Sequence, residues 1–341
     1  MNIELPKKEK NPNFRYKNTY DIIEQDIFEI NNAFDIYNLL NDKNIIFLCG
    51  PHELKREIIL IFEFDFKKEN FKEILSLKKH KEFITGCKYF LNKKNKAEYL
   101  VSNDNGKNSS TLIIWQILSK NNYQPIFNID NEDFIRYPFT LIFNFDNTYL
   151  IRSNKENQSE LISFDKEISN IINFSEEKIL QYLIYEKSEN DLVIQSNRDE
   201  ILIYDVFNNK LYKKIEDDFT IGNNNSISVI YKKNEDNLCV VNQNGNVLFY
   251  NLENYTLIFM VKIKDNNLMN LCQFNENYIF ILSKNGKLFL LDYYNKKIIS
   301  KTNKDSLNKN KTIKMIQNDI YGKYLIIGGF MKGISLYKNS D

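Results

Sequence analysis

The chain has 341 residues, of which 43% are hydrophobic and 14% aromatic, enough apolar material for a full-sized core; a disordered chain or a disulfide-stapled mini-protein is excluded. Forty-six basic residues against 45 acidic ones leave a formal charge of +1, so no global field draws the protein toward nucleic acid or an anionic membrane. The sequence also holds 51 Asn and 41 Lys but only 5 Arg and 2 Ala, a bias of the kind AT-rich coding produces, so a single Asn or Lys carries little functional information.

In chain order, residues 1–13 are polar and read as a flexible N-terminal segment. The stretch 14–30, FRYKNTYDIIEQDIFEI, is strand-rich. A unit of three β-branched and aromatic runs then recurs seven times. The copies fall at 36–40, 44–50 and 59–63; 83–90, 97–103 and 112–116; 139–146, 148–154 and 161–165; 179–186, 191–197 and 201–205; 226–233, 237–243 and 247–251; 268–275, 277–283 and 288–292; and 312–319, 323–329 and 334–338. Weaker fourth strands follow in six copies, for example 124–129 and 257–262. The third run of each copy has a large residue in fourth position: Phe62, Trp115, Phe164, Tyr204, Tyr250, Leu291 and Tyr337. Their mean spacing is about 46 residues, close to the ~40–45 of a four-stranded propeller blade.

The expected fold is therefore all-β, a single seven-bladed β-propeller over residues 14–338. After Tyr337 only four residues remain, too few for a fourth strand, so the N-terminal strand is expected to complete the last sheet and close the ring. Two packed β-sandwiches are the competing arrangement, but separate sandwiches need not keep a common period. Asn244-Gly245 and Asn285-Gly286 are signals for type I′ hairpin turns.

At the second copy the pattern resembles a known family. The stretch 79–117, KHKEFITGCKYFLNKKNKAEYLVSNDNGKNSSTLIIWQI, is similar to a WD40 repeat. His80 stands where that family's Gly-His pair falls, Ser102 matches the serine of the second strand, and Trp115 matches the Trp of the Trp-Asp dipeptide. Lys79 replaces the Gly, Gln116 replaces the Asp, and Asp104 reads as displaced by the NGKNSS insertion. The resemblance implies a structural blade brace in this copy, reduced to His80, Ser102 and Trp115, with the other copies held by packing. The chain also resembles divergent protist WD-repeat proteins. What the resemblance implies is a rigid scaffold for protein partners; a few such propellers read peptides, phosphoinositides or ubiquitin, and very few catalyse.

The residues themselves offer little catalytic chemistry. The cysteines Cys49, Cys87, Cys239 and Cys272 form no CxxC pair and lie in apolar runs, where thiols fill a core; unpaired cysteines fit a reducing compartment. No apolar stretch approaches the ~18 residues of a spanning helix, and no secretory leader is apparent, so an intracellular protein, cytoplasmic or nuclear, is expected. With two histidines, His52 and His80, and no HExxH, GxSxG or phosphate loop, neither metal nor cofactor is expected, and no enzyme. Phosphoinositide-binding propellers carry a Phe-Arg-Arg-Gly motif, and the chain has no Arg-Arg pair. Basic runs such as 7–10 and 304–311 are cheap under this composition, so nucleic acid is not an expected partner.

Other proteins are the expected partners. In a propeller the linkers between blades share a face with the hairpins between second and third strands. The linker 131–138 and the hairpin 103–110 should meet there, presenting Phe134, Arg136 and Tyr137, residue types enriched at binding hot spots. Their competing role is local packing at the start of the next blade. A small-ligand binder or enzyme using the central channel is the alternative class; Thr85, Ser226 and Ser228 are the polar groups the first strands offer it.

Overall fold

The computed structural model describes residues 14–20, 34–39, 42–49, 57–68, 70–82, 84–104, 110–131, 139–144, 147–153, 158–164, 169–172, 179–186, 191–216, 224–233, 235–265, 267–285, 287–301, 310–318, 322–329 and 334–339. Every regular element among them is a β-strand, and the strands form four-stranded antiparallel sheets, seven among the described residues.

Six sheets are simple meanders. They comprise β2 (Phe34–Leu39), β3 (Asp42–Cys49), β4 (Ile58–Asp65) and β5 (Asn70–Lys78); β6 (Ile84–Leu91), β7 (Glu98–Asp104), β8 (Ser110–Ser119) and β9 (Asn122–Asn131); β10 (Phe139–Asn144), β11 (Asn147–Ser153), β12 (Ser159–Ser163) and β13 (Ser169–Ile172). The next three are β14 (Ile179–Glu186), β15 (Asp191–Asn197), β16 (Ile201–Asp205) and β17 (Lys210–Ile215); β18 (Asn224–Ile230), β19 (Asn237–Asn242), β20 (Asn246–Asn251) and β21 (Leu257–Lys262); and β22 (Leu268–Gln273), β23 (Tyr278–Ser283), β24 (Leu288–Asp292) and β25 (Lys297–Lys301). The last sheet joins both ends of the chain. β26 (Asn310–Asn318), β27 (Gly322–Gly329) and β28 (Ile334–Asn339) take β1 (Phe14–Tyr20) as their outer strand, with Phe14 opposite Asn339 and Tyr20 opposite Ile334.

Burial follows strand position within each sheet. Among the second and third strands whose side chains are described, burial reaches both faces: every residue of β7, β19 and β23, and of β16 and β24, is buried. This is why their sequences read as continuous apolar runs rather than as alternating ones. Consecutive sheets pack face to face. Ile59 and Ile61 of β4 meet Ile84, Leu100, Ile113 and Trp115 of the next sheet. Ile203 of β16 shares a cluster with Val240, Leu248 and Tyr250, and Val241 and Phe249 share another with Ile279, Ile281 and Leu291. Each fully buried Leu, Ile or Phe contributes about 1.5–3 kcal/mol relative to exposure. Fourth strands are mostly exposed, as in β17 and β25, where the sequence turns to Lys.

The free edge of a meander's first strand pairs with no further strand among the described residues, so its backbone groups need other partners. Side chains from the adjacent sheet supply them. The Gln181 amide brackets Ile227, accepting from its N–H at 3.1 Å and donating to its carbonyl at 3.3 Å. Gln273 does the same to Tyr231, at 3.1 and 2.8 Å, and Asp35 accepts from the Tyr89 N–H at 2.9 Å.

The Asn244-Gly245 turn differs from the expected type. Gly245 has φ +81°, but Asn244 is not in the left-handed region, and the Gly245 N–H donates to the Asn242 carbonyl at 3.2 Å. This is a three-residue loop, a type I turn closed by a left-handed glycine. Asn242 explains the choice: its buried side-chain oxygen accepts from the N–H groups of Asn244 and Asn246 and holds the three-residue loop. Gly286, of the second hairpin signal, lies outside the described residues. Of the cysteines, Cys87 and Cys239 are buried as expected of core fillers, while Cys272 is only partly covered; the Cys49 side chain lies outside the description.

Candidate partner-binding face and the polar braces of the sheets

The β6–β9 sheet carries a polar relay at its centre. Trp115 Nε1 donates to Ser102 Oγ at 2.8 Å, and Ser102 Oγ lies 2.7 Å from His80 Nε2. His80 Nδ1 lies 3.1 Å from Asp104 Oδ2. One consistent proton assignment satisfies all of it: Trp115 donates to Ser102, Ser102 to a neutral His80, and His80 through Nδ1–H to Asp104. Asp104, read from the sequence as displaced, is thus the fourth member. β7 runs through Asp104 before the insertion begins, which leaves the carboxylate at its place beside the histidine. Asp104 also accepts from the backbone N–H of Thr111 and, at 3.3 Å, of Lys81. Burial alone would raise its pKa, but the bonds from His80, Thr111 and Lys81 together hold it below the usual carboxylate value.

A second relay of different chemistry occupies the matching registers of the β14–β17 sheet. Trp115 pairs with Leu100, two residues before Ser102; Tyr204 pairs with Val193, two residues before Gln195. Gln195 therefore stands where Ser102 does, and Asn197 where Asp104 does. Tyr204 OH donates to Gln195 Oε1 at 3.3 Å, Gln195 Nε2 to Asn197 Oδ1 at 3.0 Å, and Asn197 Nδ2 to Glu200 Oε1 at 2.6 Å. Glu200 pairs with Lys214 at 2.7 Å, which brings the chain of bonds to the surface. Ser159 of the preceding sheet joins it, donating to Gln195 Oε1 and accepting from Tyr182 OH, both at 2.9 Å. The expectation that packing alone holds the copies without Trp is overturned for this sheet.

On the side of the molecule bearing the β18–β19 and β24–β25 turns, side chains from three sheets converge. Asp236 anchors the first turn: its carboxylate accepts from the Lys232 N–H at 3.2 Å and from Tyr185 OH at 3.3 Å. The Tyr185 phenol is pushed up to about 12, by burial first and then by the Asp236 charge. Lys232 Nζ sits 3.4 Å from the ring centroid of Tyr293 and 5.5 Å from that of Tyr294, a cation–π contact to two rings. Partial burial lowers the Lys232 pKa, against the pull of Glu235 and Glu276. Tyr293 is the floor of this group, packed edge-on against Phe249 and Phe259, its hydroxyl accepting from Asn237 Nδ2 at 3.1 Å. On the two turns that this contact joins, Tyr294 is 73% exposed and Tyr231 is 50% exposed. The Gln273 bracket fixes the backbone of Tyr231, so this ring is displayed from a locked main chain.

The sequence reading missed this face. Its tyrosines stand 46, 62 and one residue apart along the chain, at 185, 231, 293 and 294. The usable signal was aromatic residues in otherwise polar turns, YKKNED at 231–236 and YYNKK at 293–297. Phe134, Arg136 and Tyr137 lie outside the described residues, as do His52 and the segment 105–109. Ser226 is buried and Ser228 is partly buried, its hydroxyl donating to the Val229 carbonyl at 3.4 Å; the Thr85 side chain lies outside the description. No group of three or more His, Cys, Asp or Glu side chains suited to a metal occurs among the described residues. No helix among them is long and apolar enough to cross a membrane. No family model matches the chain, and no curated protein is similar to it.

Proposed function

We propose that the chain is a single seven-bladed, WD40-like β-propeller over residues 14–338, closed by its N-terminal strand. It acts as a non-catalytic protein–protein interaction platform, an intracellular subunit or adaptor of a multiprotein complex, and needs no metal, cofactor or nucleic acid. The ring reading is supported by the order in which sheets approach one another. β2 lies beside β6, β10 beside β14, β14 beside β18, β18 beside β22, β22 beside β26, and β26 beside β2 again. The remaining junction is apolar, with Val101 and Ile114 packed on Leu141, Leu150 and Ile162.

The observation that carries the functional reading is two exposed tyrosines, Tyr231 and Tyr294, on the two turns that the Lys232–Tyr293 contact joins, the Tyr231 turn being locked by side-chain hydrogen bonds. Tyrosine offers large contact area with few rotamers, and a preordered display loses little entropy on binding. Affinity purification of the tagged protein from its own cells, with sizing and mass spectrometry, tests this. A stoichiometric partner that survives moderate salt, and whose affinity for Tyr231→Ser/Tyr294→Ser falls at least about tenfold, is the expected result. A partner bound equally well by the double variant would move the interface elsewhere. A lone monomer from every preparation would count against the subunit reading.

A further inference from the structure

In the β18–β21 and β22–β25 sheets, the turns joining second to third strands lie at the strand ends away from the tyrosine turns. Three segments meet there: the β19–β20 hairpin, 242–246, the connection to the next sheet, 262–267, and the β23–β24 hairpin, 283–287. Backbone hydrogen bonds tie them into one surface. The Ile263 N–H donates to the Gly245 carbonyl at 2.9 Å, that of Asn267 to Gln243 at 2.7 Å, and that of Lys284 to Asn267 at 2.8 Å. The charged residues of the three segments are Lys262, Lys264, Lys284, Lys287 and a single acid, Asp265. Asp265 is buried and held by Lys287 Nζ at 2.8 Å, whereas Lys262, Lys264 and Lys284 are exposed. Lys301, also exposed, ends β25 opposite Phe289 and adds a fifth cation at the same end of the sheet. The patch stops at the β14–β17 sheet, where Lys214 is paired with Glu200 and Glu216. Abundant lysine alone does not produce this. The whole chain balances 46 basic residues against 45 acidic ones, and the tyrosine turns of the same two sheets mix both signs, with Glu235, Asp236 and Glu276 among Lys232, Lys233 and Lys296. In the three segments no exposed carboxylate accompanies the lysines.

We infer that this surface, separate from the tyrosine face, docks an acidic polypeptide segment, a partner region rich in Asp and Glu. Charge complementarity selects the sign. The exposed ammonium groups are carried on segments bonded to one another, so their attachment points are set before binding. The same segments argue against the other polyanions. They contain no aromatic side chain on which a base could stack and no Arg to fork onto a phosphate or a guanine. Their one large apolar side chain, Ile263, is buried, so nothing is offered for insertion into an anionic bilayer. An extended acidic peptide needs none of these. Its carboxylates meet the lysines, and the exposed Asn285 amide stands among them for its main chain. Exposed ion pairs are individually weak, so the contact depends on several acting together and is screened by salt.

Fluorescence anisotropy of the full chain with a dye-labelled octaglutamate at low salt tests this. Saturable binding is expected, weakening as the salt concentration is raised. Lys264→Glu/Lys284→Glu should weaken it at least about tenfold, and Lys264→Gln/Lys284→Gln should fall between that variant and the native chain. Lys72→Glu/Lys213→Glu makes the same change of net charge at exposed positions on outer strands of other sheets, and should bind as the native chain does. Circular dichroism checks that each variant is folded. The glutamine variant, which introduces no new charge, decides the matter if charge reversal disturbs the fold. Absence of saturable binding, undiminished binding by the patch variants, or an equal loss in the variant at Lys72 and Lys213 would each overturn the inference. Tighter binding of a thymidine oligonucleotide of the same length, lost in the same patch variants, would overturn it in favour of nucleic acid.

Discussion

Ser102 holds together groups that have no route to water. It accepts from Trp115 and, in the proton assignment above, donates to His80, so removing its hydroxyl strands two buried partners at once. Leaving a buried polar group unsatisfied costs about 1–3 kcal/mol, so Ser102→Ala should lose roughly 2–5 kcal/mol of unfolding free energy in a denaturant titration. Trp115→Phe takes away one donor and some ring volume and should cost less than Ser102→Ala. If the two are equal, the relay is not acting through Ser102. Asp104 adds a pH dependence. Its carboxyl is held below the ordinary value in the folded state, so its contribution is fully present above the unfolded value of about 3.9 and is lost as pH falls through and below that range. The stability gap between the native chain and Asp104→Asn should therefore be largest near neutral pH and narrow as acid is added; a gap independent of pH would refute this.

At the scale of elements, the turn at Asn242–Asn246 couples two neighbouring sheets. Gly245 sits at φ +81°, and a Cβ there would come within 2.5 Å of the Ile263 carbonyl oxygen and 2.6 Å of that of Asp265. The Ile263 N–H in turn donates to the Gly245 carbonyl at 2.9 Å, so the segment entering the next sheet is built against this glycine. Gly245→Ala carries both left-handed strain and a backbone clash, and should destabilise by at least about 1–3 kcal/mol. Gly245→Asn avoids none of the clash and should be no milder; both are read from thermal unfolding. The Asn-Gly pair made a turn legible in the sequence, but its type depended on Asn242 accepting two N–H groups from inside the loop. Similarly, Tyr204 was legible as the large residue of its copy. That Gln195, Asn197 and Glu200 form a relay beneath it was not, because these residue types match no serine–histidine pattern and only strand register aligns them.

For the whole molecule, the decisive element is β1, which joins the start of the chain to its last three strands. A variant lacking residues 1–20 would leave a three-stranded sheet with β28 as a new open edge. Its thermal midpoint should fall by more than roughly 5 °C, with concentration-dependent aggregation. An unchanged midpoint would mean that β1 contributes nothing to the fold. Strand order, the grouping into fours and the place of β1 were readable from sequence, because buried central strands impose unbroken apolar runs whose spacing survives any change of side chain. What tertiary structure alone decided was which dispersed polar residues meet. Asp104 joins His80, Gln273 brackets Tyr231, and Lys232 reaches Tyr293 and Tyr294 because adjacent sheets bring turns together that are some 60 residues apart in the chain. Apolar periodicity is a property of one strand and is written locally, whereas a hydrogen bond or a binding face between sheets is a property of their packing and has no local signature.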